Sequence, residues 1–310
     1  MGVLYVVSVE EGAGKTAICA GLGRSLMNEG RKVGYLRPPE ETGADGDIAF
    51  MKQALGLSDA VNAPDMLQGR DVVLVEARLG PSAAATLSQK TYGAVREMKG
   101  KAIAVEAYSG QPLKYLDAYQ GFGESLLGVV LNKVPASRLK RAREAAAAQL
   151  GGAGTKLLGA IPENRTLLAI TVGEVAESIR GKILNNPEKA GELVENFMLG
   201  AMIVDSGLDY FGRKDNKAAV VRQDRPDMQL AALETPTRCL VLSGSRQPPM
   251  YNVLQKAESR GIPIISTDAP AADIIASLEE ALLGARLNQE KKLSRLTEIV
   301  AQNLDVKALA

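Results

Sequence analysis

The segment Ser8-Val9-Glu10-Glu11-Gly12-Ala13-Gly14-Lys15-Thr16 gathers the residue types that hold a polyphosphate. Glycines let the backbone curl until several N–H groups face one anion, and a helix that follows adds the partial positive charge of its N-terminus. In such a loop Lys15 reaches the terminal phosphates and the Thr16 hydroxyl holds Mg²⁺. The strict spacing G-x-x-x-x-G-K-T would need glycine where Val9 stands. A chance glycine turn is the other reading; the apolar strand before the loop and the helical pattern after it weigh against that.

Acids should complete a metal site. Asp71-Val72-Val73-Leu74-Val75-Glu76 reads as an apolar strand ending in a carboxylate, which places Glu76 in the crevice where α/β proteins bind ligands. Glu76 is a Mg²⁺ or water-positioning candidate, against the plain reading of a solvated strand-end acid. Asp47, in Gly43-Ala44-Asp45-Gly46-Asp47, either ligates Mg²⁺ or caps a helix starting at Ile48. Arg37 ends the second strand and either steadies a γ-phosphate or anionic substrate or is merely solvated. The catalytic candidates are therefore Lys15, Arg37 and Glu76, and the metal candidates Thr16, Asp47 and Glu76. Nucleotide contacts are expected from Glu11, Gly12, Ala13, Gly14, Lys15, Thr16 and Ala17.

Composition narrows the chemistry further. The 310 residues suit two domains, and 46% hydrophobic with 24% charged residues is ordinary for a globular chain. There is no histidine, so Ser-His-Asp and Cys-His catalysis and His-ligated zinc or iron are excluded. Two cysteines, Cys19 and Cys239, make neither a disulfide framework nor an all-cysteine metal site. Thirty-seven basic against 36 acidic residues leave +1, which gives no electrostatic case for nucleic acid. No apolar run approaches the roughly 18 residues of a membrane span, and the start lacks a basic leader region, so a cytoplasmic location is expected.

Elements that position these residues follow from hydrophobic periodicity. Strands are expected at Val3–Val9, Lys32–Leu36, Val72–Glu76, Ala102–Ala107, Leu127–Leu131 and Lys156–Ile161. Helices fill the gaps at Lys15–Asn28, Ile48–Leu55, Ala83–Met98, Leu113–Phe122 and Arg138–Gln149. Such alternation predicts a parallel sheet with helices on both faces. A second α/β series follows, with strands at Met198–Ile203, Ala218–Val221, Cys239–Ser243 and Ile262–Ser266. Its helices are expected at Ser206–Gly212, Asp227–Glu234 and Val253–Ser259. Arg165–Pro187 joins the two, with a helical stretch over Thr171–Ile179. Domains are expected over residues 1–165 and 166–285, with a C-terminal helix over 286–310. Apolar residues at helical spacing run through Glu280–Leu304; that helix either packs on its own domain or protrudes to form a dimer.

With these residues in place, residues 1–165 resemble the dethiobiotin synthetase-like P-loop domain, in the version at the N-terminus of long bacterial phosphate acetyltransferases. The match rests on VEEGAGKT, VGYLRP, VVLVE, GVVLNKVP and LLGAIPEN in that order. It implies ATP or ADP with Mg²⁺ held by Thr16, Asp47 and Glu76. It also implies adenine contact by Asn132, with Lys133, Pro162 and Glu163 along the base; from the residues alone, Asn132-Lys133 reads equally as a strand-end turn. Residues 166–285 resemble the DRTGG domain that follows in the same fusions, through TVGEVAESIRGKIL, LVENFMLGAMIVDSGLDYF, DRPDMQLAALET and RCLVLSG. There Asp224-Arg225-Pro226-Asp227 is either a structural turn, with Asp227 capping the next helix, or a small anionic-effector site near Arg225. The likeness covers only the regulatory half of those fusions, so no acetyltransferase activity is expected of these residues.

Departures separate the chain from dethiobiotin synthetase. Arg37 stands where that family has Lys, which alone offers a compact, readily tuned amine. Glu40 and Glu41 follow, and two carboxylates should repel a carboxylate-bearing substrate. The resemblance thus implies a nucleotide-dependent regulatory or interaction protein with weak or no ATPase activity, a homodimer by analogy, with a small-molecule effector or protein client. The alternative is an ATP-dependent ligase that activates a carboxylate or carbamate; lacking histidine, it would need ammonia from outside.

Overall fold

The computed structural model describes residues 2–37, 45–57, 69–110, 113–201, 207–283, 285, 287 and 290–306; the side chains of 45–47 and 283 lie outside that description, as do Glu40 and Glu41. The chain divides into two compact units, Met1–Glu163 with Leu287–Ala310, and Asn164–Arg286.

The first unit alternates strand and helix: β1 (Gly2–Ser8), α1 (Lys15–Asn28), β2 (Val33–Leu36), α2 (Asp45–Leu55), β3 (Val72–Arg78), α3 (Thr86–Glu97), β4 (Lys101–Ala107), α4 (Leu116–Gln120), β5 (Leu126–Val134), α5 (Leu139–Gly152) and β6 (Leu157–Pro162). The six strands form one parallel sheet in the order β2-β3-β1-β4-β5-β6. Both faces are covered, so the strands are continuous apolar runs rather than alternating ones. Val3, Tyr5 and Val7 of β1 pack with Tyr92 and Val95 of α3 and with Ala142 and Ala146 of α5. The parallel register sets Val6 beside Glu76 and Ser8 beside Arg78, so the ends of β1 and β3 deliver the loop and the acid to one place.

The second unit holds α6 (Arg165–Leu168), β7 (Ile170–Thr171), α7 (Val172–Ser178), β8 (Lys182–Ile183), β9 (Leu193–Val194), β10 (Asn196–Leu199), α8 (Gly207–Phe211), β11 (Lys217–Arg222), α9 (Pro226–Leu233), β12 (Thr237–Ser243), α10 (Tyr251–Arg260), β13 (Ile264–Ser266) and α11 (Ala271–Leu283). Strands β10 to β13 are parallel and in chain order, with β8 antiparallel at the edge; β7 and β9 form a separate two-stranded pair. Alternate side chains sort into two cores. Ala218, Val220, Val241 and Ile265 meet α7 and α11, while Ala219, Val221, Leu242 and Ile264 meet α8, α9 and α10.

Several expectations need correction. The segment Arg165–Pro187 carries the helical stretch expected over Thr171–Ile179, as α7. It opens the second unit, with α7 started by a capping box in which Thr171 and Glu174 satisfy each other's backbone N–H groups. The single helix expected over Glu280–Leu304 is two, α11 and α12 (Glu290–Asn303). Helix α12 lies on α1 of the first unit, where Gly21 lets Val300 approach so closely that an added Cβ would sit 2.5 Å from Val300 Cγ2. Helix α2 begins at Asp45, so Asp47 is inside it and does not cap it. Asp227 does not cap α9 either: Arg225 is the N-cap, and its guanidinium pairs with Asp227 at 2.7 Å. The expected strand Met198–Ile203 is shorter, ending at Leu199, and its last residues lie outside the described ones.

Candidate nucleotide site

The loop between β1 and α1 curls as its glycines allow. Gly12 and Gly14 take φ of +69° and +96°, the left-handed region where a side chain is strained. Ser8 ends β1 and its hydroxyl donates to Glu10 O at 2.8 Å while accepting Lys15 Nζ at 3.0 Å. The ammonium is therefore held at the loop's own base. At the next residue, Thr16 Oγ1 donates to Glu76 Oε2 of β3 at 3.2 Å. Lys15, Thr16 and Glu76, expected together from sequence, are brought together. Ala13 is buried and Ala17 half-buried on the first turn of α1. Glu11 points outward and pairs with Arg78 at 2.7 Å.

Glu76 is 1% exposed, and its Oε1 has no hydrogen-bond partner among the described residues. Burial raises its pKa, opposed by the Tyr35 hydroxyl, the Arg37 and Lys15 charges and the Thr16 hydroxyl. Tyr35, whose hydroxyl is also unpartnered, and Cys19 lie in the same buried cluster; burial chiefly, then the Glu76 charge, pushes both upward. The Arg37 charge thus acts on the acid. Cys19 and Tyr35 were missed, although Cys19 is four residues beyond Lys15 on one helix face and Tyr35 two before Arg37 on one strand face.

A second buried acid gives the contrast. Glu106, at 3% exposure, is also raised by burial, yet both its oxygens are served, by Lys114 N–H at 2.7 Å and Tyr119 Oη at 2.9 Å. Among the described residues Glu106 is satisfied at both oxygens and Glu76 at one. For a divalent cation the residues present fit: an orphaned carboxylate oxygen beside a hydroxyl at the head of a phosphate loop. Mg²⁺ commonly takes one or two protein oxygens and completes its shell with phosphate and water. Among the described residues no cluster of three acids or cysteines forms. The side chain of Asp47 lies outside the described residues.

Asn132, near the end of β5, donates through Nδ2 to Ala13 O at 2.9 Å, so its amide braces the phosphate loop. A methyl on Gly14 would overlap that nitrogen. Lys133 follows in a left-handed conformation, φ +57°, and is exposed. Pro162 and Glu163 lie beside it, Glu163 N–H bonding Val134 O at 2.8 Å. The four residues expected along a base therefore share the ends of neighbouring strands β5 and β6.

Known proteins agree with this layout. Residues 3–92 match the AAA domain family and residues 174–281 the DRTGG domain family. Over 98% of its length the chain is 24% identical to phosphate acetyltransferase of Pseudomonas putida, of which the match covers 51%. It is 36% identical over 58 residues to the ATP-dependent dethiobiotin synthetase of Methanococcus vannielii, 19% of this chain and 27% of that one. Among solved structures, the CBS and DRTGG regulatory region of Clostridium perfringens pyrophosphatase aligns over 41% of this chain and 53% of its own, at 15% identity and a TM-score of 0.33. The chain spans about half the length of the curated phosphate acetyltransferases it matches. It combines a dethiobiotin synthetase-like P-loop domain with a DRTGG domain, in the arrangement found in the N-terminal half of phosphate acetyltransferase.

Proposed function

We propose that the chain is a nucleotide-dependent regulatory or interaction protein that binds ATP or ADP with Mg²⁺ in the first unit and turns ATP over slowly or not at all. The carrying observation is Glu76: a buried acid with one oxygen on Thr16 and the other without a donor among the described residues, next to an ammonium already aligned in the loop. Lys15 would hold the terminal phosphates, Thr16 and Glu76 the cation with Asp47 as a further candidate, and Asn132, Lys133, Pro162 and Glu163 the base. Bound Mg²⁺ supplies charge neutralisation on the phosphates.

The reading extends to a homodimer, an effector or client engaged through the DRTGG domain, and a cytoplasmic location. Supporting the last, no helix among the described residues is long and apolar enough to cross a membrane. Regulation of a phosphate acetyltransferase activity is the natural setting, given the relatives. The ligase alternative keeps one supporting observation, the Arg37 charge beside Glu76, where a cation could steady a transferring phosphoryl group.

Calorimetric titration with ATP, ADP and GTP, with and without Mg²⁺, followed by phosphate release on the same sample, tests this. Adenine-selective, Mg²⁺-dependent binding with little turnover supports the regulatory reading, and clear turnover accelerated by a carboxylate substrate supports the ligase. Lys15→Ala removes the phosphate-facing ammonium and should abolish nucleotide binding; unchanged ATP affinity would refute the site.

A further inference from the structure

The sheet of the second unit opens a crevice that the nucleotide reading of the first unit leaves unused. Strands β10 to β13 lie in chain order with α8, α9 and α10 on one face, whereas α11 leaves β13 toward the other. From the neighbouring strands β12 and β13 the chain therefore departs to opposite faces. In open parallel sheets such a divergence opens a crevice outside the carboxyl ends of the strands, where ligands bind. The crevice here has a volume of about 560 Å³, within the range of small-molecule sites. Arg222 at the end of β11 lines it with Gln223 and Asp224 beyond, as do Pro248 and Met250 after β12 and Pro270 before α11.

Three features restrict the occupant. Gln223 Nε2 donates to the carbonyls of Gln247 and Pro248, both at 3.1 Å, which fixes the orientation of the amide. Its Oε1 is left buried with no donor among the described residues. A ligand N–H would serve it, as the exocyclic amino group of a nucleobase does when read by an amide side chain. Next, Met250 and its neighbour Tyr251 are 61% and 79% exposed, an apolar and polarizable rim beside Pro248. Flat rings stack on such side chains. Finally, Arg222 pairs with Asp224 through Nε at 2.9 Å and a terminal nitrogen, with both side chains well exposed. Exposed pairs of this kind are weak, whereas a guanidinium binds phosphate through a stronger forked contact. Arg246, paired with Asp268 at 3.2 Å, repeats the arrangement on the β12–α10 loop.

We infer that this crevice binds a mononucleotide whose base carries an amino group, with the base edge on Gln223, its face on the Pro248–Met250 rim and the phosphate on Arg222. The site is independent of the P-loop reading, and the test keeps the two apart. The full chain carrying Lys15→Ala, which silences the first site, is titrated calorimetrically with AMP, CMP and UMP. The expected result is one site per chain, with AMP and CMP at least five-fold tighter than UMP, which has no amino group. Adding Arg222→Ala should weaken all three about ten-fold, and adding Gln223→Leu should erase the preference over UMP. Gln223 also ties down the 247–248 backbone, so if that variant unfolds, the solvent-exposed Arg222→Ala decides. No AMP binding to the Lys15→Ala chain, equal affinity for the three nucleotides, or unchanged affinity in Arg222→Ala would overturn the proposal. None of those outcomes bears on ATP binding by the parent chain, which is read separately.

Discussion

Replacing Glu76 with Gln separates a functional acid from a structural one, because the two cases give opposite signs. The side chain is 1% exposed, with one oxygen on Thr16 at 3.2 Å and the other without a donor among the described residues. Burial is the largest influence on it and raises its pKa. The folded chain therefore holds this proton more tightly than the unfolded chain does. Its contribution to stability is fully present below the ordinary carboxyl value and is lost as the pH rises through the raised one. Once ionised, the group burdens the fold unless a cation is bound. Glutamine keeps the shape and the acceptor for Thr16 without the charge. Relief should be about 1–2 kcal/mol, the scale of one buried polar group without its partner. With a urea slope of about 2 kcal/mol/M, the midpoint of the first unit should rise by about 0.5–1 M at pH 7. Urea-dependent hydrogen exchange of the β1 and β3 amides reads that unit specifically. At pH 4 the parent carboxyl is protonated and the gap should nearly close. In the same variant, Mg²⁺-dependent strengthening of ATP binding should be lost. A Glu76→Gln chain less stable than the parent at pH 7, or one that gains equally at both pH values, would refute the reasoning.

Gly14→Ala adds a Cβ at φ +96° and drives it into the Asn132 amide, costing about 2–3 kcal/mol from strain and the lost bond to Ala13. ATP affinity should fall at least ten-fold by calorimetry; normal affinity would show that the brace is dispensable. Gly21→Ala should overpack α1 against Val300 and cost about 1–3 kcal/mol. Faster hydrogen exchange along α12 is the readout, and unchanged exchange would argue against the close helix contact. Lys217 is fully buried, donates to Pro236 O at 3.1 Å, and is lowered by burial to about 8. The unfolded chain holds that proton more tightly, so stability of the second unit should rise between about pH 8 and 10.5 and be lost as pH falls through 8. Lys217→Met should flatten that rise in urea melts; an unchanged profile would remove Lys217 as its source.

The parallel sheet of the first unit was readable because its strands are uninterrupted apolar runs separated by helical periods, and six of six expected strands there appear. The same logic was weaker in the second unit. Strands β7, β8 and β9 are two residues each, too short for any period to show, and exist because partners from distant segments pair with them. The break between α11 and α12 was hidden by apolar spacing that runs on through residues 283–293. Helical periodicity reports which face is buried, not what buries it, so nothing local placed α12 on α1.

The amino-acid sequence by itself determined the phosphate loop and its partners in kind. Gly12, Gly14, Lys15 and Thr16 act through backbone geometry and side-chain type over nine consecutive residues, and that chemistry is local. Glu76 was legible as the acid closing an apolar run, two residues before the end of β3. Only the tertiary structure decided how the pieces serve one another. The β1–β3 register brings Thr16 to Glu76, and the β5 strand end brings the Asn132 amide to Ala13 across 119 residues. It also distinguished two buried acids that look alike in sequence, since the presence of donors to both oxygens at Glu106, and their absence for one oxygen of Glu76 among the described residues, depends on which chain segments fold against them. Hydrogen-bond satisfaction is a property of three-dimensional neighbours, and the spacing of residues along a chain carries no record of it.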